Sequence, residues 1–251
     1  MKVAILGNGF VGNATRYYLE KYCPNVKEIL IEDPGQGLHI DDWNDVVFTF
    51  ICVPTDLDGG DDKLSIKIVG QALKRAKGIP VVRSTIGVDH VTLLNLGYTK
   101  EFLHWPEFLR ENHWEEDVNN SAIPIVLGGR DDNRTMLINT IFNDNKIIFE
   151  CSNHEAALMK MSRNAMLAAK VAQANMLYGL CEEYNASYDM VKAFLIEDGT
   201  LGTTHWDVPG PDGHLGFGGK CLPKDTTHYQ NLFSEDNLYE DVLKYKRNET
   251  V

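Results

Sequence analysis

An α/β fold, a doubly wound sheet followed by a helical domain built on one long helix, is what the sequence predicts. Three observations predict it. Short apolar runs alternate with helix-patterned segments over residues 1–150. The first alternation carries a glycine-rich turn between strand and helix. Residues 153–184 then form a single helical pattern without proline, with Gly179 as its only glycine. The expected domains are residues 1–150 and 151–251, and a chain of 251 residues can bury an ample core in both.

Lys2 to Leu6 reads as a strand. Gly7-Asn8-Gly9-Phe10-Val11-Gly12 follows, then a helix to about Tyr22, then a second strand from Val26 to Ile31 ending in Glu32 and Asp33. That order is the fingerprint of a Rossmann dinucleotide site. Gly7 permits the tight turn, Gly9 lets backbone approach a pyrophosphate, and Gly12 permits close helix packing. Phe10 and Val11, within the same glycine stretch, would also line the cofactor site. Glu32 or Asp33 stands where an acid takes the ribose hydroxyls. No Arg or Lys lies between Glu28 and Asp62, so no base is expected near this acid to hold a 2′-phosphate, and NAD is expected over NADP.

Further strands are expected over Val46–Val53, Ile79–Arg83, Phe102–Trp105, Ile123–Gly128 and Lys146–Phe149, with helices over Leu64–Lys77, Asp131–Phe142, Ser187–Glu197, Thr226–Phe233 and Asn237–Lys246. Val53-Pro54-Thr55 and Ser84-Thr85 end two strands, and ligands of doubly wound sheets bind beyond such carboxyl ends. Either threonine alone would as readily cap a turn. Glu107 and Glu111 are four apart and would share one face of a helical turn. Two carboxylates near one ligand can have separated pKa values, which suits proton transfer. A solvated acidic turn with Glu115 and Glu116 is the plainer alternative. Lys160 and Asn164 are likewise stacked, amid alanines and methionines of the long helix. A lysine there either snorkels to water or is held for a purpose.

Gly216-Phe217-Gly218-Gly219-Lys220-Cys221-Leu222-Pro223-Lys224-Asp225 is the most chemical stretch. Three glycines in four residues let backbone approach a ligand. Pro223 suits the first turn of a helix, which places Cys221 at a helix N-terminus, where the dipole favours a thiolate. Lys220 and Lys224 add positive charge. A lone buried cysteine is usually structural, but a structural cysteine needs neither the glycines nor the lysines. Cys221 is therefore a nucleophile candidate.

The totals bound the rest. Charged residues number 24 basic against 36 acidic, a net charge of −12, with no basic run, so nucleic acid is not an expected partner. Five scattered cysteines are no disulfide framework and point to a reducing, cytoplasmic setting. The chain enters a strand at once, so no signal peptide is expected. No apolar run is long enough to span a membrane.

Residues 216–225, as GFGG-x-C-x-x-KD, resemble the catalytic cysteine loop of the UDP-glucose and related nucleotide-sugar dehydrogenases. Pro106–Glu111 resembles the PEFLRE segment of that family. Cys-Val-Pro-Thr at 52–55 and Ser-Thr-Ile-Gly-Val at 84–88 resemble its cofactor-edge motifs, and Glu155, Lys160 and Asn164 its E-x4-K-x3-N helix. The resemblance implies NAD-dependent oxidation of a primary alcohol to an acid in two hydride steps, with Cys221 forming a thiohemiacetal and then a thioester. Lys160 and Asn164 would stabilise the oxyanion. Glu107, Asp225 and a water held by Thr85 would handle protons, with Glu111 in the same network. Phe108, Leu109, Glu111, Lys160, Asn164 and Gly218 would bind the sugar substrate. Val53, Pro54, Thr55, Ser84 and Thr85 would line the NAD site, and the long helix would build a homodimer. No metal is implied.

Departures from the family pattern are Asp56 and Gly87 for prolines, Asn112 for glycine, Thr200 for an arginine, and an insertion at 212–215. The nucleotide-sugar-binding domain that ordinarily follows is expected to be lacking. Two other readings of the residues stand beside this one: a single-step hydroxyacid-type dehydrogenase on a smaller substrate, and a non-catalytic NAD-binding protein. The first has no use for a loop cysteine, and the second predicts decay of the catalytic residues.

Overall fold

The computed structural model describes residues 1–57, 63–97, 101–142, 146–235 and 237–247. Asp56 to Asp62, an acidic stretch with two glycines that reads as a loop, falls mostly outside the described residues. The chain divides into two compact units, one of Met1–Asp56 with Leu64–Lys160, the other of Leu57–Lys63 with Met161–Val251.

The first unit is a seven-stranded sheet. Its strands are β1 (Lys2–Leu6), β2 (Glu28–Glu32), β3 (Val46–Ile51), β4 (Ile79–Val82), β5 (Leu103–His104), β6 (Ile125–Gly128) and β7 (Ile148–Cys151), in spatial order β2-β1-β3-β4-β5-β6-β7. The reversal at β1 and β3 is the switch point of a doubly wound sheet. Every pairing is parallel except β5 with β6, where His104 opposes Gly128 in antiparallel register. β3, VVFTFI, is apolar at all but one position because helices cover both faces of such a sheet.

Helices α1 (Phe10–Tyr22), α2 (Lys67–Arg75), α3 (Val88–Gly97), α4 (Trp114–Asn119) and α5 (Asp131–Ile141) complete the unit. Val3, Ile5, Leu19, Phe48 and Phe50 belong to one apolar cluster. Leu6, Ile51, Val69, Leu73 and Val91 belong to another. That pairing follows from the strand alternation, with Ile5 and Leu6 pointing to opposite faces. α2 is shorter than the expected Leu64–Lys77, and β3 stops at Ile51 rather than Val53. α3 and α4 lie where the sequence suggested no helix. α3 is aliphatic on nearly every side, with Leu93 and Leu96 exposed, so it lacks a helical stripe. α4 has only six residues, too few to show a period.

The long helix α6 spans Asn153–Glu183, one residue short of expectation, and the division between units falls within it at Lys160. In the second unit follow α7 (Tyr188–Glu197), α8 (Leu222–Gln230) and α9 (Leu238–Leu243). Ser187 caps α7 by accepting the Met190 N–H. Ala168, Ala172, Phe217 and Val242 form the buried centre of this unit. α8 begins four residues before the Thr226 start read from its periodicity, because Pro223 occupies its first turn. Among the described residues no helix is long and apolar enough to cross a membrane.

Candidate active site and cofactor cradle

The glycine turn follows directly from steric limits. Gly7 has φ of +94°, and a Cβ there would lie 2.4 Å from the Cys52 carbonyl oxygen. Gly12 faces the Gly7 carbonyl oxygen, 2.1 Å from where a Cβ would stand. Gly9 is different: a Cβ would meet nothing within 4 Å. It is the N-cap of α1, whose first turn holds no acid and whose cap has no side-chain bond. The open space at Gly9 and the free end of the helix fit a dinucleotide pyrophosphate, with Phe10 and Val11 in the first helical turn. The turn is held by Gly7 N–H to the Glu32 carbonyl at 2.8 Å and by Asn8 N–H to Asp33 Oδ2 at 2.8 Å.

The two acids at the end of β2 part company. Asp33 serves the turn backbone. Glu32 is 5% exposed, and its Oε2 accepts from Arg75 Nη2 at 2.7 Å. The expectation that no base stands near this acid is thereby corrected. Residues 28–62 hold no Arg or Lys, but Arg75 arrives from the end of α2.

At the neighbouring strand ends, Ser84 Oγ donates to the Val53 carbonyl at 2.7 Å, so this hydroxyl ties β3 to β4. Thr55 and Thr85 are both buried, while Pro54 is exposed.

Residues 105–110 are not helical. Glu107 and Glu111 therefore do not share the face of a helical turn, and that expectation is corrected. Asp117 of α4 takes the Arg110 backbone N–H at 2.7 Å and its guanidinium at 2.6 Å, which holds the segment extended. Glu111 opens a short 3-10 turn and is half-buried. Glu107 points inward. Its Oε2 accepts the Leu109 N–H at 2.7 Å, and its Oε1 accepts from Lys160 Nζ at 2.9 Å. Both side chains of this ion pair are 3% exposed. Lys160 Nζ also lies 5.8 Å from the Phe108 ring centroid. So Lys160 does not snorkel; it is held.

Two further groups frame this pair, and the sequence had singled out neither. Arg83, read only as a strand end, is buried with its guanidinium carbon 3.7 Å from the Trp105 ring centroid, and its charge acts on Glu107. Its Nε and Nη1 have no hydrogen-bond partner among the described residues. His104 is fully buried, and burial pushes its imidazole down to about 4. An unfolded histidine titrates near ~6.5. Stability from a neutral His104 should thus be complete above about pH 6.5 and fall as pH drops towards 4, by up to about 3 kcal/mol. Urea unfolding between pH 4 and 7 measures this. A His104→Leu variant should show a shallower slope, and equal slopes would remove the effect.

In the second unit, Cys221 is the N-cap of α8, half-buried, as its sequence position suggested. Its carbonyl accepts the Asp225 N–H at 3.0 Å, the first bond of the helix. Asp225 is fully buried and holds two partners. Asn164 Nδ2 donates to Oδ2 at 2.7 Å, and Lys224 Nζ to Oδ1 at 2.8 Å. Lys224 thus gives its charge to Asp225, and Asp225 positions Asn164. The loop before Cys221 is pinned from three sides. Gly216 N–H donates to Asn175 Oδ1 at 2.9 Å, and Phe217 exchanges backbone bonds of 3.0 Å with Tyr245 and Arg247. Gly216 has φ of +73°, and a Cβ would stand 2.2 Å from the Tyr245 carbonyl oxygen. Gly218 lies between these anchors and the cysteine.

The other thiols differ. Burial pushes Cys23 up to about 12 and Cys52 up to about 11, and it also raises Cys151. Cys181 is buried. Iodoacetamide followed by peptide mapping should therefore label Cys221 first. Earlier labelling at Cys23 or Cys151 would contradict a reactive loop.

Residues 154–249 match the central domain of the UDP-glucose/GDP-mannose dehydrogenase family. The likeness of this chain is to that family. UDP-glucose 6-dehydrogenase YwqF of Bacillus subtilis is 26% identical over 223 residues, 82% of this chain and 49% of the relative. A UDP-glucose 6-dehydrogenase of Campylobacter jejuni is 29% identical over 97% of this chain and 70% of its own length. The chain thus spans about half the length of the first of these relatives. In fold it is similar to a UDP-glucose dehydrogenase from Pyrobaculum islandicum, with a TM-score of 0.79 over 97% of this chain, at 22% identity. The dehydrogenase likeness covers both units.

Proposed function

We propose that this chain carries the NAD-binding and catalytic parts of a nucleotide-sugar dehydrogenase, oxidising a primary alcohol of a UDP-glucose-like sugar to the acid. The observation that carries it is the construction around Cys221. A half-buried cysteine caps a helix whose fully buried Asp225 accepts from Asn164 Nδ2 at 2.7 Å.

NAD, when bound at the glycine turn, accepts hydride, once in each of two steps. The residues do the rest. Glu107 and Asp225, with a water at Thr85, take the alcohol and thiol protons. Cys221 Sγ adds to the aldehyde carbon and gives a thiohemiacetal. Loss of the second hydride leaves a thioester, and water cleaves it to the carboxylic acid and restores the thiol. Lys160 Nζ and Asn164 Nδ2 stabilise the oxyanion at each stage, and a preorganised donor is typically worth about 10²–10³ in rate. Phe108, Leu109, Glu111 and Gly218 contact the sugar. Val53, Pro54 and Thr55 border the cofactor. Incubation with NAD and a panel of UDP- and GDP-sugars, followed at the NADH absorbance, tests the assignment. The absence of turnover with every sugar would count against it.

The protein acts in the cytoplasm, in keeping with five free cysteines, and cell fractionation checks this. It works as a homodimer through α6. Met166, Met176 and Leu180 are each at least 50% exposed there, an apolar surface in need of cover. Light scattering should give a dimer at micromolar concentration, and a monomer would remove the idea.

A further inference from the structure

The Glu32–Arg75 pair stands at the position that decides which dinucleotide is accepted. Glu32 is the last residue of β2, and its carbonyl closes the glycine turn through Gly7. In this fold the acid at that place meets the 2′-oxygen of the adenosine ribose. Glu32 is buried, so its side chain is fixed, while the Arg75 side chain is 57% exposed. Arg75 ends α2 and has donors beyond the one it gives Glu32. A guanidinium with such spare donors is the geometry that binds a phosphate monoester in bidentate fashion.

We propose that Glu32 and Arg75 together form a cofactor discriminator. Glu32 engages Arg75 and repels a 2′-phosphate, so the chain takes the 2′-hydroxyl cofactor. Arg75 is a latent 2′-phosphate ligand that becomes available when Glu32 loses its charge. This inference rests on the glycine turn being a dinucleotide site. A plain alternative is that the pair only fastens α2 to β2, in which case neither residue would distinguish the two cofactors.

Fluorescence titrations with NADH and NADPH at fixed ionic strength test it, using the unaltered chain, Glu32→Gln, Arg75→Met and the double variant. The unaltered chain should prefer NADH. Glu32→Gln should raise NADPH affinity relative to NADH by about tenfold or more, the scale of one or two charge-assisted hydrogen bonds. The double variant should lose that gain, and Arg75→Met alone should still bind NADH. An unchanged ratio in Glu32→Gln, or a double variant that binds NADPH as tightly as Glu32→Gln, would overturn the discriminator while leaving the dinucleotide site intact. An unaltered chain that binds neither cofactor would overturn the site itself, and the discriminator with it. Circular dichroism of each variant guards against misfolding, and Glu32→Ser repeats the test should Glu32→Gln fail to fold.

Discussion

Replacing Cys221 by serine should reduce acid formation by about three orders of magnitude or more, the usual scale for loss of a covalent nucleophile. A serine hydroxyl at the same helix cap is not ionised near neutral pH, and no thioester can form on it. NAD binding should persist, because the glycine turn is built from β1, α1 and β2, remote in sequence from residue 221. Separate measurements of NADH binding and of acid by chromatography distinguish the two effects. A single-step dehydrogenase would barely register the change, so near-normal turnover by Cys221→Ser would refute the covalent route.

The second large effect concerns stability. Lys160 and Glu107 form an ion pair with both side chains 3% exposed. Removing one partner strands the other charge in a dry interior, at a cost of about 3–5 kcal/mol. Lys160→Met and Glu107→Gln should each lower the thermal midpoint by roughly 10 °C, given about 2–4 °C per kcal/mol for a protein of this size. The double variant should lose clearly less than the sum, since it leaves no orphaned charge. Additive losses would mean that the pair is not coupled and that Lys160 is held by something else.

Much of this was legible in the sequence, and the rest was hidden for identifiable reasons. The β1–α1–β2 turn could be read because Gly7 and Gly12 answer to hard contacts of 2.4 and 2.1 Å that no other residue satisfies. The Cys221 cap could be read because Pro223 announces a helix start. Partners were not legible. Lys160 meets Glu107 across 53 residues, Asn164 meets Asp225 across 61, and Arg75 meets Glu32 across 43. Only the fold brings such groups together. The helical turn expected at 107–111 failed for the same reason, since Asp117 draws Arg110 into an extended path through bonds that local propensity does not contain. Arg83 and His104 escaped notice because an arginine or histidine at a strand end is more often exposed than buried. Here both are buried beside the Glu107 segment.

On the proposed route, Cys221 carries the sugar through two oxidations in turn. The ratio of NADH formed to sugar consumed, measured with limiting nucleotide sugar and excess NAD, tests it most directly. Two NADH for each sugar, with the carboxylic acid as product, is the expected result. One NADH per sugar, with an aldehyde or ketone as product, would contradict it.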